Sequence, residues 1–294
     1  MRIGKIEAVP IAAETLGVRS LCTKVSTPDI TILLDPSAAL AMRGGLEPHP
    51  QEYRLLMKSL ERILTEARTS DVLSVSHYHY DHVRPGFTDF RYNLSSREEL
   101  QRIFEGKVVF AKDNREHVNA SQRKRGFYFE RDVNGVAEEI QWSDGKAYSF
   151  GETKVRYSHP LPHGPVETNL GYIIATTIEH LDTRVLFAPD VQGPLVEDTL
   201  EYILSQEPEV AIVGGPPIYL NRFSDSQKKS ALSSLKLLAS RVPLLIVDHH
   251  LMRSNEWDTW LNPVMAEASK AGNDVKTMAE MAGLEIACLE AKRK

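Results

Sequence analysis

Cysteine is nearly absent from this 294-residue chain: there are two, Cys22 and Cys288, far apart in sequence. Such a pair excludes a disulfide framework, and both are expected to be inert small hydrophobes. Long apolar runs are missing too, and no window approaches the length that crosses a bilayer, which excludes a membrane-spanning role. The start, Met1-Arg2-Ile3-Gly4-Lys5-Ile6-Glu7, alternates like a strand and lacks the apolar stretch of a signal peptide. The cytoplasm is therefore the expected location. Positive charge is not in surplus: the net charge is −5, giving no overall attraction to nucleic acid. Neither an internal repeat nor a low-complexity linker divides the chain, and one domain across residues 1–294 is expected.

What the chain does have is a dense group of metal-type ligands. Residues 77–82 read His-Tyr-His-Tyr-Asp-His, directly after the apolar run Val72-Leu73-Ser74-Val75-Ser76. In extended backbone His77 and His79, at i and i+2, project from one side. Asp81 and His82 are adjacent, so a turn there aims them at a second point. This pattern suits two metal ions side by side better than one structural zinc, whose ligands more often include cysteine. Further candidates stand at or just beyond short apolar strands: His163 after Thr153–Tyr157, Asp190 after Arg184–Ala188, and His249 and His250 after Leu244–Asp248. His159 is the alternative to His163, which two prolines separate from its strand and which Gly164 follows, allowing a sharp turn. Strand ends are where distant side chains converge in layered α/β folds.

Taken in order (His-x-His-x-Asp-His, a lone His, an Asp after a strand, a late His after a strand), the chain resembles the metallo-β-lactamase superfamily from the strand near Lys5 to the late histidines. Gly17-Val18-Arg19-Ser20, residues 118–123, Gly214-Gly215-Pro216-Pro217 and Asp248-His249-His250-Leu251 are similar to its uncharacterised, mainly archaeal branch of predicted metal-dependent hydrolases. The pattern alone gives only α/β; the resemblance implies an αββα sandwich, two packed mixed sheets with helices outside. It implies that His77, His79 and His163 hold one metal ion, that Asp81, His82 and the late His hold a second, and that Asp190 bridges them. His249 is preferred to His250 as that late ligand: it comes first after the strand, and Arg253 follows at a spacing similar to that of the ribonuclease Z branch. His250 would then face the substrate as an acid or an oxyanion donor. Asp35, after Thr31-Ile32-Leu33-Leu34, resembles the superfamily's Asp that supports the ligand loop and would anchor a ligand His through its second ring nitrogen. It reads equally as a turn residue before Pro36.

The sequence departs from the superfamily after His82. Val83-Arg84-Pro85-Gly86-Phe87 replaces the early Gly, and Pro85 opposes a helix running straight on. An excursion over about 84–131 is expected near the site. Within it Arg115, Arg123, Lys124, Arg125 and Arg131 cluster beside Phe127, Tyr128 and Phe129, a patch able to hold a phosphate or an RNA backbone. The plainer reading, a solvated helix face with aromatics on the core, is preferred.

Elsewhere the spacing predicts helices over Pro50–Thr69 and Ser226–Ser240, and short helices from Glu256 onward broken near Asn262-Pro263 and Gly272-Asn273. Strands are predicted at Ile30–Leu34, Val108–Ala111, Gly171–Thr176 and Val210–Val213. Tyr78 and Tyr80 are expected to line the wall of the site or reach the substrate, and Tyr219 is a further pocket candidate. His49, His117 and His180 are expected to be structural or at the surface, and Trp142, Trp257 and Trp260 in the core.

These readings combine into a dinuclear metal-dependent hydrolase in which a metal-bridging hydroxide attacks an ester-type bond, phosphodiesters first. Asp190 would set the metal spacing and Asp81 would orient the water or take its proton. Two divalent ions are expected, zinc first, with manganese or iron as alternatives. The expected partner is a small-molecule or nucleotide-type substrate, with nucleic acid less supported. The alternatives are a thioesterase or lactonase on the same scaffold and a mono-iron oxygenase of sulfur compounds.

Overall fold

The computed structural model describes residues 1–165 and 170–293. Strands β1 (Arg2–Ile3), β2 (Ile6–Pro10), β3 (Thr23–Ser26), β4 (Thr31–Leu34), β5 (Val72–Val75), β6 (Val108–Ala111) and β7 (Glu139–Trp142) form the first sheet in that order. Neighbours are antiparallel up to β4 and parallel from β4 to β7. The parallel half needs crossovers, supplied by α1 (Pro50–Thr69), α2 (Arg97–Phe104) and α3 (Ala120–Val133). The second sheet repeats the plan. β8 (Ala147–Phe150) and β9 (Thr153–Tyr157) precede a hairpin of β10 (Leu161–Pro162) and β11 (Tyr172–Ile173), and β12 (Thr176–His180) and β13 (Thr183–Ala188) follow it. Then come β14 (Val210–Gly214), β15 (Leu244–Asp248) and β16 (Asp274–Lys276), interleaved with α4 (Glu197–Ser205), α5 (Asp225–Arg241) and α6 (Trp257–Ala271), before α7 (Met278–Met281). The sheet runs β16-β15-β14-β13-β12-β9-β8, parallel from β13 to β16.

Alternation along buried strands sorts side chains into three apolar interfaces. Ile32, Phe110, Val185, Phe187, Ile212 and Ile246 fill the space between the sheets. Leu33, Leu73 and Val109 face Leu56 and Ile63 of α1 and Phe104 of α2. Leu186, Ala211 and Leu245 face Leu235 of α5 and Val264 of α6. Three interfaces separate four layers, the αββα sandwich of mixed sheets that the resemblance implied. Strands buried on both faces are largely apolar, as β5, β14 and β15 are; the buried Ser74 hydroxyl in β5 is paired with Tyr157 OH at 3.1 Å, and Asp248 closes β15. Among the described residues no helix is long and apolar enough to cross a membrane.

Several element boundaries differ from the sequence reading. The N-terminal alternation folds into two strands, β1 and β2, turned at Gly4, whose φ is 56°. The run Gly171–Thr176 is divided: Ile174 N–H leaves the sheet for Ser76 O at 3.0 Å and Ala175 N–H for Ser158 Oγ at 2.8 Å. Pro263 does not break α6. It lies on the exposed face, as does Thr259 four residues earlier, whose carbonyl it has no N–H to pair, while Leu261, Val264 and Ala268 stay buried. Beyond Gly272 the chain forms β16 where a helix was predicted. In the segment 84–131, the stretch before α2, the short turn at 105–107 and the turn before α3 are irregular, and β6 lies inside the first sheet.

Helix α3 is held close to the His-x-His loop because Gly126 has no side chain. A Cβ there would stand 2.5 Å from Asn114 Cβ and 3.0 Å from the ring of Tyr78, which is fully buried. Gly126→Val is therefore expected to destabilise the protein by about 1–3 kcal/mol through overpacking. Thermal unfolding measures this, and an unchanged midpoint would contradict the packing described.

Candidate metal centre

The ligand-type residues all leave the carboxyl ends of strands. Asp35 follows β4, His77 to His82 follow β5, Asp190 follows β13, and His249 and His250 follow β15. Side chains from opposite sheets meet there because parallel strands end together on one edge. His163 comes from the β10–β11 hairpin, its N–H donating to Gly171 O at 2.9 Å. Three of these residues have left-handed backbone without being glycine: Asp35 (φ 49°), Asp190 (φ 52°) and His249 (φ 69°). Such strain costs about 1–3 kcal/mol per residue and gathers at sites where the surrounding fold imposes it. Gly214 makes room for one of them, since a Cβ there would lie 2.5 Å from the Asp190 backbone nitrogen.

Asp190 is the centre of the arrangement. Its Oδ2 lies 2.7 Å from His163 Nε2, 3.1 Å from His77 Nε2 and 3.6 Å from His79 Nδ1. Its Oδ1 lies 2.8 Å from His249 Nε2 and 3.3 Å from His82 Nε2. Asp81 Oδ2 completes the second group at 3.7 Å from His249 Nε2. His250 Nδ1 is farther away, 4.0 Å from Asp190 Oδ1. The donor atoms of His77, His79, His163 and Asp190 lie within 4.8 Å of one another, as do those of Asp81, His82 and His249.

Polar groups outside the cluster fix which ring nitrogens face inward. Asp35 accepts from Ser76 N–H at 2.7 Å and the Ser76 hydroxyl at 2.6 Å, and its Oδ2 meets His82 Nδ1 at 2.8 Å. The same hydroxyl lies 2.9 Å from His77 Nδ1. Of its two open readings, Asp35 thus occupies the supporting one. Glu14 does the same for His249, with Oε2 at 2.8 Å from Nδ1. Arg253 donates to Glu14 Oε1 at 2.6 Å and to Asp81 Oδ2 at 3.3 Å, and Gln192 places its amide 3.4 Å from His163 Nδ1.

His82 and His249 each direct Nδ1 at a carboxylate and bring their Nε2 atoms within 3.2 Å of each other, so both Nε2 atoms face one point where a proton or a cation can sit between them. Burial and the neighbouring His82 push His77 well below the usual imidazole range, so it is neutral and its nitrogen can coordinate. Burial also opposes charge on His249, but Glu14 and Asp190 override it and raise the ring to about 9. For Asp190, burial favours the acid, yet His82, His249 and His250 hold it ionised, well below the usual carboxylate range. His77 Nε2, Asp190 Oδ1 and His250 Nδ1 are buried without a geometrically sound hydrogen bond among the described residues. Inward-facing imidazoles around an ionised carboxylate form a donor set that fits divalent cations.

His159 is exposed and packs against Gly145, away from the cluster. Tyr78 cannot reach a substrate: it is fully buried, and its hydroxyl donates to Lys112 O. Tyr80 is partly exposed beneath Arg125, whose guanidinium carbon lies 4.4 Å from the ring centroid. Tyr219 lies beneath Arg43 at 4.3 Å. His49 caps α1, His117 is exposed, and His180 is buried beside Thr153 and Asp29. Trp257 and Trp260 pack on the outer core of the second sheet and Trp142 on that of the first. Both cysteines are buried, and burial pushes the Cys288 thiol up to about 12. Phe129 is buried as the plainer reading of the basic segment expected, but Phe127 and Tyr128 are 58% and 40% exposed, so the aromatics are not all on the core. Glu14 escaped the sequence reading; the signal was a lone carboxylate inside the largely apolar run Ile11–Val18.

No family model matches the chain. Among curated proteins it is 38% identical over 291 residues to a UPF0282 protein of Methanopyrus kandleri, covering 98% of each chain. It is 35% identical over 292 residues to one of Methanocaldococcus jannaschii, covering 98% of this chain and 96% of that one. Among solved structures, a metal-dependent hydrolase of the β-lactamase superfamily superposes with a TM-score of 0.51 at 10% identity, covering 92% of this chain and 95% of that chain. CmlA, a diiron β-hydroxylase from Streptomyces venezuelae, superposes at 0.54 and 12% identity over 94% of this chain, which spans only 53% of CmlA. At these identities the structural likeness shows the shared fold.

Proposed function

The chain belongs to the archaeal UPF0282 family and has the metallo-β-lactamase fold, and from that premise we propose that it is a metal-dependent hydrolase holding two divalent ions and acting on a phosphodiester. The observation that carries the reading is the Asp190 carboxylate, with one oxygen toward His77, His79 and His163 and the other toward His82 and His249. In this reading those residues and Asp81 are the ligands, with zinc the first candidate and manganese or iron the alternatives.

Bound ions would supply Lewis acidity and a water of lowered pKa, so that no serine or cysteine nucleophile is required. The chain's own residues do the rest. Asp35, through Ser76 and His82, and Glu14, through His249, hold the imidazoles in the tautomer that keeps Nε2 unprotonated and inward. Arg253 neutralises Glu14 and holds Asp81 in place. Asp81 is only partly buried, so it can orient a water or take its proton. His250 stands at the edge of the cluster, where it can donate to a leaving group or an oxyanion.

Two complete donor groups favour this reading over a mono-iron oxygenase. CmlA, a diiron β-hydroxylase that shares the fold, supports a two-iron variant of the site, and a carboxylic ester, thioester or lactone would use the same machinery. The direct test is hydrolysis of bis(p-nitrophenyl) phosphate by the metal-loaded protein, lost on chelation and restored by metal. Activity that survives full metal removal would overturn the reading. Ligand assignment has its own test: His249→Ala is expected to lose about one metal ion while His250→Ala keeps both. The reverse pattern would exchange the two residues.

A further inference from the structure

A cavity of about 540 Å³ opens beside the ligand loop, between residues 80–87 and helix α3. Tyr80 and Val83, which bracket Asp81 and His82 in sequence, form part of its wall. Its size suits a small molecule. Four cations line it, Arg84, Lys124, Arg125 and Arg131, against one carboxylate, Asp132. Two of the four are already engaged. Arg84 donates to Asn93 O at 2.7 Å and pairs with Glu99 at 2.8 Å, and Arg131 shares Asp132 with Arg97. Arg125 and Lys124 have no carboxylate within 4.0 Å among the described residues. Arg125 is half-buried, stacked over Tyr80, with Nη1 3.5 Å from Tyr78 O. A guanidinium so placed is pre-oriented and lacks an anion. Phe87 and Tyr128 present exposed rings on the same wall, at 47% and 40% exposure.

Helix α3 is also tied to the metal cluster from both sides. Gly126 seats it on Tyr78, and Gln122 donates to Tyr172 O at 3.1 Å and accepts from Tyr172 N–H at 3.2 Å, on the hairpin that carries His163. The free cations are therefore held in fixed relation to His79 and His163.

We propose that this cavity receives the non-reacting end of the substrate, and that this end is a phosphate group next to a planar ring, as in a nucleotide. Arg125 grips the phosphate as a fork, Lys124 adds charge, and Tyr80, Phe87 and Tyr128 take the ring. The proposal rests on the hydrolase reading and narrows its substrate to phosphodiesters that carry a second anionic group.

The test is calorimetric titration of AMP into the metal-free protein, with adenosine as the uncharged control. Binding of AMP, much weaker binding of adenosine, and a loss of about 10–100-fold in Arg125→Ala with partial recovery in Arg125→Lys are expected. Lys229→Ala, which removes an exposed cation of α5 outside the cavity, should bind AMP like the wild type, and unfolding midpoints identify any variant that fails to fold. Equal affinity in wild type and Arg125→Ala, equal binding of adenosine, or no AMP binding would overturn the proposal. Capture of RNA without AMP binding would also overturn it and assign the surface to nucleic acid. Because the metal is absent from these titrations, their failure is separable from failure of phosphodiester hydrolysis, which is read on the metal-loaded protein.

Discussion

Asp190→Asn is expected to lower phosphodiester hydrolysis by about 10³-fold or more and to reduce bound metal from about two ions per chain to one or none. Asparagine is the informative replacement because it keeps the shape and tolerates the left-handed backbone of position 190, φ 52°. What it removes is the negative charge and one of the two acceptor oxygens. In the present arrangement each oxygen serves a separate group of imidazoles, His163 at 2.7 Å on one side and His249 at 2.8 Å on the other. An amide offers a single, uncharged oxygen, so one group keeps only a weaker acceptor and the other faces an N–H₂ donor. Metal content and kcat are measured together. Full metal content with full activity would show that Asp190 does not join two sites.

Glu14→Ala should be the most damaging change outside the cluster itself. The carboxylate is buried, and it meets His249 Nδ1 at 2.8 Å and Arg253 Nε at 2.6 Å. Removing it leaves the buried Arg253 guanidinium with Asp81, at 3.3 Å, as its remaining carboxylate among the described residues. Breaking one side of a buried ion pair typically costs about 3–5 kcal/mol. His249 also loses the acceptor that fixes its tautomer, for which a fall of about 10–100-fold in metal affinity is expected. Thermal unfolding in chelator reads the first effect and metal titration of the folded protein reads the second. If Glu14→Gln recovers stability but not metal affinity, the carboxylate's charge acts on the site rather than on the fold. Unchanged affinity in both variants would reduce Glu14 to a structural partner of Arg253.

The legibility of this site in the sequence follows from distance along the chain. His77, His79, Asp81 and His82 lie within six residues; extended backbone aims the first two, and the turn closed by His82 N–H on His79 O at 2.9 Å aims the others, so no long-range information is needed. Asp190 and His249 were visible because each closes an apolar run, and buried parallel strands deliver their carboxyl ends to one edge. Glu14 was not visible because its partner His249 is 235 residues away and nothing local announces the pairing. Tyr78 and Tyr80 looked equivalent in sequence. Period-2 alternation puts the two tyrosines on one side of the loop, but only the packing of Gly126 on Tyr78 buries one and leaves the other under Arg125. Pro263 misled for the opposite reason: local chemistry argues for a break, and the buried stripe of Leu261, Val264 and Ala268 outweighs it.

The claim on which the rest depends is that one carboxylate joins two metal sites. Elemental mass spectrometry on protein purified without added metal or chelator tests it most directly. About two ions of zinc, manganese or iron per chain are predicted. Retention of one ion, with the second site refusing zinc, manganese and iron alike at concentrations that fill the first, would contradict it.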